Sequence, residues 1–233
     1  MKPGDTLAIV SPAGPVTADE LASGLAFLRD RGFRVQLGAH ALDRDGYLAG
    51  RDRDRAADLN AAFADDRIAG IICTRGGWGC GRLLPLLNYD LIRSHPKILL
   101  GYSDTTALLL AIYAKTGLIG FHGPVVTSVW NPFSVAAWQA ALLNGQAVQL
   151  ANPAGQAHRT IVPGKAHGPL LGGNLSVVTA LLGSDYLPAW DGAILFLEEV
   201  DEEIYRIDRL FVQLKLAGVL DRLAGFVFGQ CRD

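Results

Sequence analysis

Short segments of the chain combine glycines with groups able to carry acyl-transfer or anion-binding chemistry. Gly101-Tyr102-Ser103-Asp104-Thr105 sets a serine between an apolar run and a helical pattern. A serine on a sharp strand-to-helix turn exposes its hydroxyl at the positive end of the following helix, which favours a developing oxyanion. The hydrolase elbow reads G-x-S-x-G, and here Thr105 takes the last place. The competing reading is that Ser103 or Asp104 simply caps the helix. Arg75-Gly76-Gly77-Trp78-Gly79 leaves backbone N–H groups free to face an anion, as a phosphate cradle or half of an oxyanion hole. A plain tight turn is the alternative. It matches neither G-x-G-x-x-G nor a P-loop. Trp78 is either core or an exposed substrate wall.

Glu198-Glu199 ends a very apolar run, where one carboxylate could orient a histidine. A strand's period of two sends these side chains to opposite faces, so at most one serves a site directly. A Ser–Glu pair needs a base between them. His40, His95, His158 and His167 read as solvated loop residues. His122 follows a strand on the same sheet edge as Ser103 and could line the pocket. No His, Cys or carboxylate group has metal-ligand spacing, so no metal and no cofactor are expected.

The elements that must position these groups alternate. Thr6–Val10, Phe33–Leu37, Ile68–Cys73, Lys97–Leu100 and Leu118–Phe121 read as strands, separated by helical patterns at Ala18–Arg31, Arg51–Ala64, Arg82–Leu87 and Thr105–Lys115. Such alternation implies βαβ units and a parallel sheet covered on both faces. Ligands then bind beyond the carboxyl ends of the strands, where Ser11–Pro15, Arg75–Gly79, Gly101–Thr105 and His122–Pro124 fall. Beyond Ala147 the pattern changes. Prolines, glycines and short β-like runs such as Arg159–Val162 suggest a linker. Gly168–Asn174 is read as opening the helix Leu175–Leu182. Ala193–Leu197 and Ala224–Phe228 are strands, with a helix between them that turns Ile204, Ile207, Phe211 and Leu214 inward.

The expected architecture is therefore α/β: a Rossmann-like, mostly parallel sheet domain over 1–150, a linker over 151–166, and a smaller, apparently incomplete C-terminal α/β domain over 167–233. A strand closing a parallel unit ordinarily feeds another loop and helix, which is why that domain reads as truncated. Half of the 233 residues are apolar and 19% are charged, enough to bury a core and too few charges for a disordered chain. A net charge of −2 without a basic cluster argues against nucleic-acid binding. Cys73, Cys80 and Cys231 form no CxxC, which fits a reducing compartment. No run reaches the ~18 apolar residues of a membrane span, and the N-terminus lacks a signal-peptide layout, so a cytoplasmic location and no membrane partner are expected.

Taken together, the segments GDTLAIVSPAGPV, RDRDRAADLNAAFAD, ICTRGGWGCGRLLPLLNYDLI, PKILLGYSDTTALL, GLIGFHGPV, GPLLGGNLSVVTALLGSDY, ILFLEEVDEEIYRIDR and AGFVFGQC resemble, in family order, the serine-type LD-carboxypeptidases. That family includes muramoyl-tetrapeptide carboxypeptidases and microcin C immunity proteins. The resemblance implies a metal-free Ser-Glu-His triad between two domains, in a homodimer. It puts the nucleophile on Ser103, the acid on Glu198, and the oxyanion donors on the backbone N–H groups of Asp104 and Gly77. It puts the histidine base C-terminal to residue 233, so the 233-residue form is expected to be inactive. The implied reaction is release of C-terminal D-Ala from murein tetrapeptide in peptidoglycan recycling. Arg75, Gly76, Trp78, His122 and Asn174 are candidate substrate contacts. Cleavage of peptidyl-nucleotide antibiotics and a non-catalytic Rossmann-like ligand module are the alternatives.

Overall fold

The computed structural model of the chain describes residues 1–149, 152 and 158–232. The strands β1 (Thr6–Val10), β2 (Arg34–Leu37), β3 (Ile68–Cys73), β4 (Ile98–Gly101) and β5 (Phe121–His122) form one sheet in the order β2-β1-β3-β4-β5. Every pairing in it is parallel. Strand order reverses between β1 and β3, and in open α/β sheets the crevice at such a reversal receives ligands. The loops carrying Ser11–Pro15 and Arg75–Gly79 both leave from that point.

Helices cover both faces because β1 is apolar on both. Leu7 and Ile9 pack with Leu21, Leu25 and Leu28 of α1 (Ala18–Asp30), whereas Ala8 and Val10 face Leu59 and Phe63 of α2 (Asp52–Ala64). Thr17 and Glu20 form a capping box at the start of α1. The short α3 (Tyr89–Ser94) and the apolar α4 (Thr106–Thr116) complete the α2 side. On the opposite side, α5 (Pro132–Trp138) brings Trp138 onto Phe27 and Phe33.

A second parallel sheet, β6-β7-β8, consists of Leu170–Asn174, Ile194–Val200 and Gly225–Arg232. The helices α6 (Leu175–Ala180) and α7 (Ile204–Leu216) belong to it. Its core of Leu175, Val178, Leu195, Leu197 and Leu214 includes Leu110 of α4, so the two sheets share apolar packing. Among the described residues no helix is long and apolar enough to cross a membrane.

Several expectations need correction. Gly168–Asn174 does lead into a helix, α6 starting at Leu175 with Asn174 as its cap, but most of the segment is itself the strand β6 and not a loop, and its glycines answer a need for close approach rather than for flexibility. The fifth strand is confined to Phe121–His122, paired to Leu100 and Gly101, because it is a short edge. The helical segment at 82–87 is a 3-10 helix over Cys80–Leu86, with Pro85 inside it unable to donate to an α-helical ladder. Arg159–Val162 forms no strand, and residues 151 and 153–157 of the expected linker lie outside those described. In α7 only Leu214 is buried, and Ile204, expected inward, is 85% exposed.

At Gly173, φ is +136°, and an added Cβ would lie 2.5 Å from Thr106 Oγ1 and 3.2 Å from His122 Nδ1. Gly173→Ala is therefore expected to destabilise the fold by ~2 kcal/mol or more, from backbone strain and crowding together. Urea denaturation followed by circular dichroism measures this. A midpoint equal to wild type would contradict the tight approach of β6 to α4.

Candidate active site

Ser103 sits where β4 ends and a single 3-10 turn, Ser103–Thr105, leads into α4. Its φ is +61°, a left-handed conformation rare for a residue with a side chain. Neither Ser103 nor Asp104 caps the helix: no side-chain cap bond is present at the turn or at the start of α4. The Asp104 carboxylate instead turns back and accepts a hydrogen bond from the Cys80 N–H at 2.8 Å. That bond ties the serine turn to the loop after β3.

The same loop presses on the serine directly. A Cβ on Gly76 would lie 2.7 Å from Ser103 Cβ and 2.8 Å from Oγ, so only glycine allows this approach. Gly76 in turn accepts a hydrogen bond from Gly14 N–H at 3.2 Å, which links the loop after β1. Trp78, 60% exposed, is a surface wall and not core. Arg75 is exposed beside Gly14.

The second sheet reaches this edge through β6 and β7. Thr106 Oγ1 accepts a hydrogen bond from Asn174 N–H at 3.0 Å, and Asn174 pairs in register with Glu198. Along β7 the period of two places Leu195, Leu197 and Glu199 inward and Phe196 and Glu198 on the other face. The ring of His122 bridges the sheets. It makes edge contacts with Tyr102 at 6.2 Å and Phe196 at 5.6 Å between centroids, and its Nε2 lies 4.0 Å from Glu198 Oε1. The serine turn, His122 and Glu198 are thereby gathered at one edge. The β7–β8 pairing shifts register between Leu197 and Glu199, a bulge that falls on Glu198.

Two neighbouring acidic and amide groups turn out to serve the scaffold. Glu199 is buried and accepts from Asn174 Nδ2 at 2.9 Å, Ser176 N–H at 2.9 Å and Ser176 Oγ at 2.6 Å. Asn174, expected to meet substrate, is buried, and its Oδ1 caps α6 by accepting from Val177 N–H at 3.1 Å. Both ends of its amide are engaged within the protein. Thr106 and Phe196 were not foreseen, since nothing in their local sequence distinguishes them from ordinary helix and strand residues.

Comparison with known proteins decides what this arrangement belongs to. Residues 7–123 match the LD-carboxypeptidase N-terminal domain and residues 167–233 the LD-carboxypeptidase C-terminal domain. The chain belongs to the LD-carboxypeptidase family. A Bacillus subtilis protein named "Probable murein peptide carboxypeptidase" is 39% identical over 229 residues, covering 96% of this chain and 71% of that protein. The murein tetrapeptide carboxypeptidase of Pseudomonas aeruginosa is 36% identical over 219 residues, covering 89% of this chain and 70% of the relative. An MccF-like protein from Bacillus anthracis superposes with a TM-score of 0.88 at 29% identity, covering 100% of this chain and 79% of that structure.

The electrostatics of this candidate site follow from burial. Burial pulls the His122 pKa down to about 4, so the imidazole is neutral at physiological pH. Burial, and then the adjacent Glu199, push Glu198 above the usual carboxylate range, with the Asn174 amide opposing. Glu198 Oε1 is buried with no hydrogen-bond partner among the described residues, leaving an acceptor able to hold an imidazole N–H. The thiols near the serine are inert: burial pushes Cys73 to about 12 and Cys80 well above its ordinary value. No group of three metal-ligating side chains occurs among the described residues.

His122 also predicts a pH dependence of stability. Unfolded, it takes up a proton near pH 6.5; folded, only near pH 4. Between these values the unfolded chain binds more protons, so stability falls as pH drops through the window. Glu198, with its pKa raised, has the opposite slope above the unfolded carboxylate value. Replacing His122→Gln is expected to remove roughly 1–2 kcal/mol of the stability lost between about pH 7.5 and about pH 5. Denaturant titrations of wild type and variant at both pH values measure it. Parallel losses in the two proteins would contradict a neutral, partly buried imidazole.

Proposed function

We propose that the protein is a serine peptidase that releases the C-terminal D-Ala from murein tetrapeptide. The observation that carries this reading is Ser103 held at φ +61° under Gly76, with Glu198 brought to the same edge through His122. Ser103 Oγ attacks the carbonyl carbon of the bond to D-Ala and gives its proton to an imidazole. The backbone N–H groups of Gly77 and Asp104 hold the oxyanion. The C–N bond then breaks, the amine leaves with the imidazole's proton, and water hydrolyses the acyl-serine. Glu198 orients the imidazole, which the family resemblance puts on a histidine C-terminal to residue 233.

A carboxypeptidase must also recognise a free carboxylate. Arg75, exposed beside Gly14, is the proposed cation for it, and Trp78 the proposed apolar wall. Gly76 gives the chain its close approach to the substrate carbonyl. His122 offers a neutral ring that can hydrogen-bond the peptide. Asn174 acts through Glu199 and the α6 cap. The proposed setting is a cytoplasmic homodimer in peptidoglycan recycling.

A second reading, hydrolysis of peptidyl-nucleotides, is favoured by the fit to an MccF-like structure and by the exposed Trp78 ring, which could stack on a base. A non-catalytic ligand module is the remaining alternative.

The test is D-Ala release from murein tetrapeptide by the full-length polypeptide, with an aminoacyl sulfamoyl nucleoside as rival substrate. Ser103→Ala is expected to lower turnover by at least about a thousandfold. Residues 1–233 alone are expected to be silent. Unchanged turnover in Ser103→Ala would overturn the nucleophile. Activity of residues 1–233 that disappears with His122→Ala would move the base to His122.

A further inference from the structure

Among the described residues the largest fully buried side chain is a charged one, Arg55 on α2. Nothing in the chemistry above uses it. Its Nη1 donates to the Pro12 carbonyl in the loop after β1, and its Nη2 donates to Asp52 Oδ1 at 2.5 Å. Asp52 is itself held by Arg82, whose Nε lies 2.9 Å from both carboxylate oxygens, and Arg82 lies on the 3-10 helix that follows the Arg75–Gly79 loop. On the other side of the guanidinium stands Gly79, where an added Cβ would lie 2.9 Å from Nη1 and 3.2 Å from Nη2. The next residue, Cys80, donates its N–H to Asp104.

We propose that Arg55 is a positioning residue for the oxyanion-binding loops, a buried fork that sets the loop after β1, the Arg75–Gly79 loop and the Ser103 turn in register. The proposal rests on the reading of Ser103 as nucleophile with Gly77 and Asp104 as oxyanion donors. Both donors lie in the segments that Arg55 braces: Gly77 two residues before Gly79, and Asp104 on the far side of the Cys80 bond.

Burying a guanidinium is costly unless its donors are satisfied and paired, and here Nη1 and Nη2 are bonded while Nε is buried with no partner among the described residues. A core leucine at the same place would avoid the desolvation. What a leucine lacks is directed hydrogen bonding to a backbone carbonyl and a carboxylate at once. Lysine lacks it too, because an ammonium is a point charge without a planar fork. Burial raises the Asp104 carboxyl, and the Cys80 hydrogen bonds oppose this, with the Arg55 charge adding in the same direction. Arg55 reaches the serine turn sterically, through Gly79 and the Cys80–Asp104 bond that follows it.

Arg55→Lys in the full-length enzyme tests this, with kcat and KM measured on murein tetrapeptide. A mispositioned oxyanion hole weakens binding of the transition state and not of the ground state. The expected result is a kcat about tenfold or more lower with KM within about twofold of wild type. Amide hydrogen exchange should accelerate at Ala13, Gly14, residues 76–80 and residues 103–105 and stay unchanged in β6, β7 and β8. A folded Arg55→Lys enzyme with wild-type kcat, or a rise in KM that accounts for the whole loss, would overturn the proposal. Asp52→Asn is the second variant should Arg55→Lys not fold: it keeps one acceptor for Arg55 at the half-exposed end of the pair. It should give the same pattern at smaller amplitude, and unchanged kcat and loop exchange there would equally overturn it. If wild type releases no D-Ala, the reading of the reaction falls, while loop exchange in the variants still decides whether Arg55 sets these segments.

Discussion

The site depends on one steric constraint, the contact between Gly76 and Ser103. The serine is held at φ +61°, where a side chain costs about 1–3 kcal/mol unless the surroundings enforce it. The enforcement comes from three strand ends at once. The β4 backbone delivers the serine, the loop after β3 lies against its Cβ and Oγ, and the loop after β1 is hydrogen-bonded to that loop through Gly14 and Gly76. A parallel sheet is well suited to this arrangement, since all its strands end on one edge and each end begins a loop. The strain is offset by the sheet behind it, whose central strands β1 and β3 are buried and apolar on both faces.

A second layer of the same logic brings in the acid. Glu198 and Glu199 are adjacent in sequence, yet they have different tasks, because a strand alternates its faces. Glu199 points into the protein and fastens β7 to α6 through Ser176 and Asn174. Glu198 points to the edge where His122 and Phe196 lie. The inward carboxylate also raises the pKa of the outward one. Scaffold and site are coupled here by two carboxylates on one short strand.

Much of this was legible from residue order. The five strands of the first sheet stand out because each apolar run is bounded by Gly, Pro or Asp, and the Ser103 turn stands out because it follows one of them. The opposite facing of Glu198 and Glu199 needs only the strand period. What stayed hidden depended on distant partners. The run GPLLGGN lacks β-branched residues and carries glycines, so it reads as a loop leading to a helix. It becomes a strand because β7 pairs with it and because Thr106 and His122 leave room only for glycine at 173. Asn174 looks like a polar group awaiting substrate; its cap on α6 is local, but its amide's bond to Glu199 appears only when β6 and β7 are side by side. Arg55 lies in a charged helix, where an arginine ordinarily faces water; its burial is set by loops some 40 residues before it and 24 after it in the chain. Ile204 shows the reverse error, an apolar residue at a helical spacing that is left in solvent.

The central claim is that Ser103 and the amides of Gly77 and Asp104 form one acyl-transfer centre. The most direct measurement is a crystal structure of the full-length protein soaked with a peptide boronate ending in the D-Ala analogue. The account predicts a tetrahedral boron bonded to Ser103 Oγ, with one boronate oxygen at about 2.7–3.1 Å from the N–H nitrogens of Gly77 and Asp104. A boronate bound elsewhere, or bonded to Ser103 with its oxygens turned to solvent and away from both amides, would contradict it.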